Sequence, residues 1–237
     1  MKGKNLVYQR YRRSLENCSL LSEMDDPTFK SLISLFYEEK WPKNTCFIDE
    51  NKFLCKFFII LQGRVKMYQI DEISTKEVTL FLLTKGDFMD LFCLLDGSRH
   101  KVYYQSLDDV RVLAAPMENL HKWLQKNPEY YKNLLSYAGK QLRMLEDYVS
   151  DITFTDISTR LLKLLITNVN KDSNNLELIN DLSNKEIAFL IGSTRAVVNR
   201  HIQKLKKNGC VLTSRENLQV MNLPLLISLL EKKSTNS

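Results

Sequence analysis

No stretch of this sequence approaches the roughly 18 consecutive apolar residues that a membrane-spanning helix needs, so a place in the membrane is not expected. The leading residues, MKGKNLVYQRYRRSLENC, are basic but lack the apolar run that a secretion signal sets behind its charges. A cytoplasmic protein is therefore expected. The five cysteines (Cys18, Cys46, Cys55, Cys93, Cys210) are odd in number, scattered and without a C-x-x-C pair. That excludes a disulfide framework and the usual zinc spacing, and most of the five read as small apolar fillers. The three histidines, His100, His121 and His201, show no ligand spacing either, so no metal is expected. Also missing are a phosphate loop, a Ser-His-Asp or Cys-His arrangement and carboxylates that can be paired in a cleft, so the chain is not read as an enzyme.

What is present is an ordinary globular balance, 44% hydrophobic and 26% charged, over 237 residues. That length suggests two domains, each with its own core. The net charge of +6 is unevenly placed: from Thr153 onward twelve Lys or Arg stand against seven Asp or Glu, leaving a local excess of five. Such asymmetry is the electrostatic footprint that nucleic-acid binding needs, although a basic run can also be a solvated helix face.

Asp26 as N-cap, Pro27 at the first helical position and the stripe Phe29, Leu32, Ile33, Phe36 predict a short amphipathic helix ending near Trp41-Pro42. From Cys46 to about Pro116, short runs rich in Phe, Ile, Val, Leu and Tyr are separated by turn residues, which predicts a compact antiparallel β domain. After the turn at Gly63, Val65, Met67 and Gln69 alternate with Arg64, Lys66 and Tyr68, the period of a half-buried strand. Asn127-Pro128 then opens a long helix in which Tyr131, Leu135, Ala138, Leu142, Leu145, Val149 and Ile152 recur at steps of four and three. A stripe that narrow suits a coiled-coil partner, with Gly139 beside Ala138 allowing close approach; an intramolecular docking helix is the alternative. Thr153-Phe154-Thr155 breaks the pattern, and Asp156 caps a further helix that carries Arg160 one turn on. The expected division is a β domain with an N-terminal helix over 1–126, a dimerisation helix over 127–153 and a DNA-binding domain over 154–237.

The functional signal lies in DLSNKEIAFLIGSTRAVVNRHIQKLKKNGC, Asp181 to Cys210. Ser183 and Glu186 form a capping box for a helix that buries Ile187, Ala188 and Ile191. Gly192 supplies a left-handed turn, and Ser193 caps a second helix that buries Val197, Val198, Ile202 and Leu205 and stops at Asn208-Gly209. Two short helices around a glycine turn make a helix-turn-helix. On the outer face Arg195, Asn199 and Gln203 fall at i, i+4 and i+8, residue types that pair with guanine and adenine edges. Ser193, Thr194, Ala196, Arg200, Lys204 and Lys206 complete the expected DNA surface, with the lysines suited to phosphates. From Arg195 to Lys207 there are five basic residues and no acidic one, whereas solvated helices mix signs. VLTSRENLQVM reads as two short strands of a wing whose Arg215 would touch the DNA backbone.

The segment LSNKEIAFLIGSTRAVVNRHIQKLKKNG resembles the DNA-binding motif of the Crp/Fnr family of transcription regulators, E-[IL]-A-x-x-[IL]-G-x-[ST]-R-x-x-V-x-R. Phe154, Asp156 and Arg160 resemble the family hinge, the heptad helix its dimerisation helix, and residues 42–116 its cyclic-nucleotide-binding-type β-roll. In that roll Gly63 and Gly86-Asp87-Phe88 match, while Asn44 and Asn51 stand where glycine is usual; asparagine tolerates left-handed geometry. The resemblance implies an α+β fold with an N-terminal jelly-roll-like β-roll, flanking helices, a long dimerisation helix and a C-terminal winged helix-turn-helix. It implies double-stranded DNA, a second copy of the chain and RNA polymerase as partners.

Two departures qualify that reading. The family's Arg, Glu, Arg readout maps onto Arg195, Ala196 and Arg200, so the glutamate is missing and a different operator is expected. Where nucleotide-binding members carry a Gly-Glu pair and an Arg-Ser or Arg-Thr pair, a gapless reading gives Asp90-Leu91 and Lys101-Val102. The purine-contacting helix positions read Leu145 and Glu146. A cyclic phosphate would meet Asp90 and lose its bidentate arginine, which Arg99 replaces only with a register shift, so cyclic AMP is not expected as effector. Cys18 stands alone, without the thiolate cluster that an iron-sulfur sensor needs; haem through His100 or His121 stays open, and no cofactor is assigned. The competing function is a nucleotide- or small-molecule-binding module that acts on a protein partner, its basic tail incidental.

Overall fold

The computed structural model describes residues 2–15, 18, 20–21, 24–47, 56–98, 101–170, 173–214 and 217–234. It has the expected α+β architecture, in two compact units: residues 1–69 with 80–143, and 70–79 with 144–237.

The first unit begins with helices α1 (Lys2–Ser14) and α2 (Asp26–Ile33). Strands β1 (Tyr37–Trp41), β2 (Cys46–Phe47), β3 (Lys56–Gln62), β4 (Val65–Ile70), β5 (Glu77–Leu83) and β6 (Phe88–Met89) follow. Helix α3 (Leu91–Asp96) leads to β7 (Tyr103–Ser106), β8 (Val110–Pro116) and α4 (Met117–Lys126). The strands make two four-stranded sheets, ordered β1-β8-β3-β6 and β2-β7-β4-β5. Strand β3 shows why its sequence is one unbroken apolar run. Phe57, Ile59 and Leu61 join the helical core with Leu15, Phe29, Leu32, Leu120 and Leu124, while Phe58 turns to the other face, edge-on to Trp41 with ring centroids 5.3 Å apart. Alternate residues of a strand buried on both sides must all be apolar. Helix α1 is tied to β1 at Glu38, whose carboxylate accepts from Arg10 at 2.8 Å, Arg111 at 2.7 Å and the Tyr11 hydroxyl at 3.1 Å.

Three local expectations need correction. Helix α2 is capped by Asp25, which accepts from the Thr28 N–H, and it stops at Ile33 rather than near Trp41. Tyr37–Trp41 instead pairs with β8 in the register Tyr37↔Ala114 to Trp41↔Val110, so sheet hydrogen bonding overrides the continued helical spacing. Strand β4 is buried on both faces from Val65 to Tyr68, where one solvent face was expected. The Lys66 ammonium lies 4.4 Å from the Tyr68 ring centroid, a cation–π contact that makes burial of this stem tolerable. Asn44 does adopt the left-handed geometry anticipated for it, at φ 63°; Asn51 lies outside the described residues.

The long helix begins with a 3-10 turn (Pro128–Tyr130) and is α-helical as α5 (Tyr131–Phe154), running through the expected break at Thr153-Phe154. Its Leu134 and Tyr137 are buried in the core of the first unit. The Tyr137 hydroxyl donates to Asp87 Oδ1 at 2.9 Å and accepts from the Phe88 N–H at 3.3 Å, tying the helix to the Gly86-Asp87-Phe88 turn.

The second unit holds α6 (Ile157–Asn168), α7 (Asn184–Leu190), α8 (Arg195–Lys207), a hairpin of β9 (Val211–Thr213) and β10 (Leu218–Val220), and α9 (Leu223–Ser234). Asp156 caps α6 as expected, accepting from the Thr159 N–H at 2.7 Å.

Asp90 is the polar exception inside the β domain. It is only 6% exposed, sits in the left-handed region at φ 61°, and its side-chain Oδ1 accepts from the Tyr104 hydroxyl at 3.2 Å. Its Oδ2 is enclosed with no hydrogen-bond partner among the described residues. Burial pushes its carboxyl up to about 7, against the smaller lowering effect of the Tyr104 hydrogen bond. The folded state therefore holds a proton between about pH 4 and pH 7 that the unfolded chain releases, so this group makes folding less favourable as pH rises through that window. The full effect is at most about 4 kcal/mol, for three pH units at 1.36 kcal/mol each. Asp87, also raised by burial, acts with the same sign, so the informative quantity is a difference. Asp90→Asn, which keeps the left-handed geometry accessible, should flatten the loss of urea stability between pH 4.5 and pH 8 relative to the parent. Identical pH profiles for the two proteins would show that Asp90 does not titrate in this range.

Candidate nucleic-acid interface

The second unit places two short helices around one glycine. Ser183 accepts from the Glu186 N–H at 3.3 Å, and the Glu186 carboxylate accepts from the Ser183 N–H at 2.7 Å, so the predicted capping box opens α7. Ile187, Ala188 and Ile191 are buried beneath it. Gly192 takes φ +60°, and a Cβ there would lie 3.3 Å from both Arg160 Nη1 and Ile152 Cγ2. Turn geometry and crowding both call for glycine.

The turn is held from outside by Arg160, whose Nη1 donates to the Ile191 carbonyl at 2.8 Å. Sequence spacing linked Arg160 to Asp156. In the structure Arg160 reaches the turn, and Asp156 pairs with Lys233 of α9 at 2.6 Å. Burial raises the Asp156 carboxyl, but the Lys233 pair and the Thr159 hydrogen bonds outweigh it and hold the group at about 2.

The second helix starts one residue later than its sequence suggested. Thr194, not Ser193, is the N-cap of α8, accepting from the Val197 N–H. The Ser193 N–H is already used, donating to the Ala188 carbonyl at 2.9 Å to close α7, and its hydroxyl is enclosed without a hydrogen-bond partner among the described residues. Val198, Ile202 and Leu205 are buried as expected, whereas Val197 is half-buried. Arg195, Asn199 and Gln203 are all exposed along one ridge, and Thr194, Ala196, Arg200, Lys204, Lys206 and Lys207 are exposed around it. Asn184 Nδ2 donates to Asn199 Oδ1 at 3.1 Å. That bond fixes the orientation of the middle ridge residue, and a contact across fifteen positions has no sequence signal. The hairpin pairs Val211↔Val220 and Thr213↔Leu218 as a wing; its Arg215 lies outside the described residues.

The expected seam on α5 is largely open. Leu135 is 59% exposed, Leu142 57%, Val149 57% and Ile152 42%, while Tyr131, Ala138 and Leu145 are half-buried. Met144 and Phe154, not read as part of the stripe, are exposed as well. Of the positions read as an effector pocket, Asp90 and Leu91 are buried in the first unit, where Val102 is half-buried and Lys101 exposed. Leu145, half-buried, and Glu146, exposed, lie on the part of α5 that belongs to the second unit. Arg99 and His100 lie outside the described residues. Among the described residues no three His, Cys, Asp or Glu side chains cluster to hold a metal, and no helix is long and apolar enough to cross a membrane.

Comparison with known proteins gives two family matches, to the cyclic nucleotide-binding domain over residues 38–127 and to the Crp-like helix-turn-helix domain over residues 158–229. The chain is 24% identical over 160 residues to the CRP-like cAMP-activated global transcriptional regulator of Mycobacterium tuberculosis, 66% of this chain and 71% of that protein. It is 24% identical over 172 residues to the global nitrogen regulator of Nostoc, 70% of this chain and 76% of that protein. Among solved structures, the c-di-GMP responsive global regulator CLP of Xanthomonas campestris superposes with a TM-score of 0.71 at 16% identity, covering 84% of this chain and 100% of that one. FixK2 of Bradyrhizobium japonicum does so with a TM-score of 0.70 at 17% identity, covering 82% and 96%. These structures share the fold.

Proposed function

Because the chain belongs to the Crp/Fnr family of transcription regulators and is a DNA-binding protein of that family, we propose that it works as a homodimer, reads an inverted-repeat operator with α8 and does not depend on cyclic AMP. The observation that carries this reading is the exposed ridge Arg195, Asn199, Gln203 on a helix without a single acidic residue. Arg195 presents a fork suited to guanine O6 and N7, and Asn199 and Gln203 present amides suited to adenine. Lys204 and Lys206 flank the ridge and suit phosphates, which set position and affinity rather than sequence, while Arg200 suits either a base or a phosphate. Ser193, half-buried, is withdrawn from the contact set, while Thr194 remains at the helix N-terminus. Residues 154–237 supply this function, residues 127–153 the dimer contact and residues 1–126 the sensing domain. RNA polymerase as a further partner, a cytoplasmic site of action and the lack of catalysis rest on the family alone.

The open seam on α5 supports the homodimer. Apolar side chains left exposed at heptad spacing lose nothing by packing against a second copy and gain the burial that their own chain denies them. Against cyclic AMP stands the character of the β-domain interior. A cyclic phosphate wants a rigid fork of donors, and the matching positions offer the buried carboxyl of Asp90, an exposed Lys101 and the apolar Val102.

Three outcomes are expected. Leu142→Glu places an uncompensated charge at mid-seam, at a cost of several kcal/mol by the usual penalty for burying an unpaired ion, and should give a monomer by light scattering; an unchanged dimer would refute the seam. Calorimetric titration with cyclic AMP should show no specific heat, and a micromolar Kd would overturn the reading of the Asp90 region. In a selection on random DNA, half-sites should recur about 34 Å apart, one helical turn. Arg195→Ala should lose about 1 to 3 kcal/mol and relax one base pair per half-site. Lys206→Ala should weaken all sequences alike and lower the salt slope by roughly one for each phosphate no longer neutralised. Full specificity in Arg195→Ala with relaxed specificity in Lys206→Ala would reverse the two roles.

A further inference from the structure

Within the second unit, α6, α8 and α9 enclose a cavity of about 570 Å³ that the DNA-binding reading does not use. Its volume lies in the range of small-molecule sites, roughly 300 to 1,000 Å³. The floor is apolar, made by Leu161, Leu162, Leu205 and Leu229 with Ile157 and Val197. The rim is cationic: Arg200, His201 and Lys204 come from α8, and Lys232 and Lys233 from α9. The acidic group on the rim is Asp156, already engaged by Lys233. An apolar pocket ringed by cations focuses positive potential into a low-dielectric space.

We propose that this cavity is a regulatory site for an amphipathic organic anion, a carboxylate or sulfonate on an apolar chain or ring, and that its occupation weakens DNA binding. The apolar part would replace water over the leucine floor, and the anionic head would pair with Arg200, Lys204 and Lys232. A compact inorganic anion leaves the floor uncovered, and a neutral lipid leaves nothing for Arg200 and Lys204 to pair with, so the complementarity selects both properties together. The regulatory half rests on the reading of α8 as the DNA-contacting helix. Arg200 and Lys204 border the base-reading ridge and the cavity at once, so a head group that engages them withdraws positive charge from the phosphates. The same field is visible at His201. Its imidazole is held below the ordinary histidine range, by burial first and then by Arg200, Lys233 and Lys204, with Asp156 opposing. An anion in the cavity would raise it again.

That response provides a test which does not pass through DNA. The probe is decanoate, titrated into the full-length protein while the His201 imidazole is followed by NMR, its resonance assigned with His201→Gln. Decanoate should bind saturably at one site per chain and raise the His201 titration by roughly half a pH unit, as a nearby opposite charge does. Decanol and acetate should not. Leu229→Trp, which fills the cavity, should abolish the shift; should that variant fail to fold, Lys232→Glu should weaken decanoate binding at least about fivefold by removing a paired charge. A His201 titration indifferent to decanoate, an equal response to decanol, or unchanged decanoate binding in a folded variant would each overturn the site. In a separate arm, saturating decanoate should weaken operator binding about tenfold, the order expected when one or two phosphates are no longer neutralised. Bound decanoate with unaltered operator affinity would overturn the regulatory half and leave the site standing, whereas a protein that binds decanoate but no DNA at all would refute the functional reading and not the site.

Discussion

Helix Tyr131–Phe154 has to satisfy two apolar faces, and its own chain covers one of them. Leu134 and Tyr137 are buried in the core of the first unit, and the Tyr137 hydroxyl is shared between Asp87 and the Phe88 N–H. Those contacts fix the rotation of the helix about its axis. With the rotation fixed, Leu135 and Leu142 face outward, and Val149 and Ile152, on the part of the helix in the second unit, are exposed as well. An exposed seam of this length is a standing free-energy cost unless a matching surface covers it, and a second copy offers an identical stripe at the same spacing. The proposed homodimer is thus the consequence of how the helix packs inside the β domain.

Presentation of the recognition helix depends on a comparably small set of contacts. Gly192 permits a sharp turn because its backbone tolerates φ +60°, and the Arg160 guanidinium holds the Ile191 carbonyl in that turn. Arg160 and the capping residue Asp156 belong to the first turns of α6, so the start of α6 positions the turn between α7 and α8. On α8 the buried Val198, Ile202 and Leu205 set its rotation, and the Asn184–Asn199 hydrogen bond limits the freedom of one ridge side chain before any DNA arrives. Preorganisation of that kind lowers the entropic cost of base readout.

The parts legible in the sequence are those governed by neighbours along the chain. The Ser183–Glu186 box, the left-handed Gly192, the buried and exposed faces of α8 and the wing strands all follow from spacing over a few residues. What the sequence concealed depends on partners far along it. Helical spacing persists past Ile33, yet Tyr37–Trp41 is a strand because β8 pairs with it. Lys66 looked solvent-facing until the Tyr68 ring and the second buried face were in place. Ser193 was a better cap than Thr194 by local rules, but its backbone belongs to the closure of α7, where its N–H donates to the Ala188 carbonyl, so α8 starts one residue later with the Thr194 hydroxyl as acceptor. The pairing of Asp156 with Lys233 spans 77 positions, and the cavity it borders is assembled from three separate helices. No periodicity encodes such an assembly.

The electrostatics of the second unit tie these points together. A recognition helix with no acidic residue between Arg195 and Lys207 repels itself, and the cost is met only partly within the chain. Asp156 carries its share against Lys233 of α9: its carboxyl stays ionised down to about pH 2, through that pair and the capping bonds despite its burial. His201 carries another by favouring its neutral form in the field of Arg200, Lys233 and Lys204 once burial has already disfavoured the charge. The remaining repulsion is relieved when anions bind, and α8 has two flanks on which they can do so. One carries the ridge proposed to read bases, where phosphates would accompany them; the other opens onto the leucine-floored cavity. Since Arg200 and Lys204 border both, negative charge gained on one flank diminishes what the other can attract. Competition between the two surfaces therefore needs no change of shape, only a shared pair of cations.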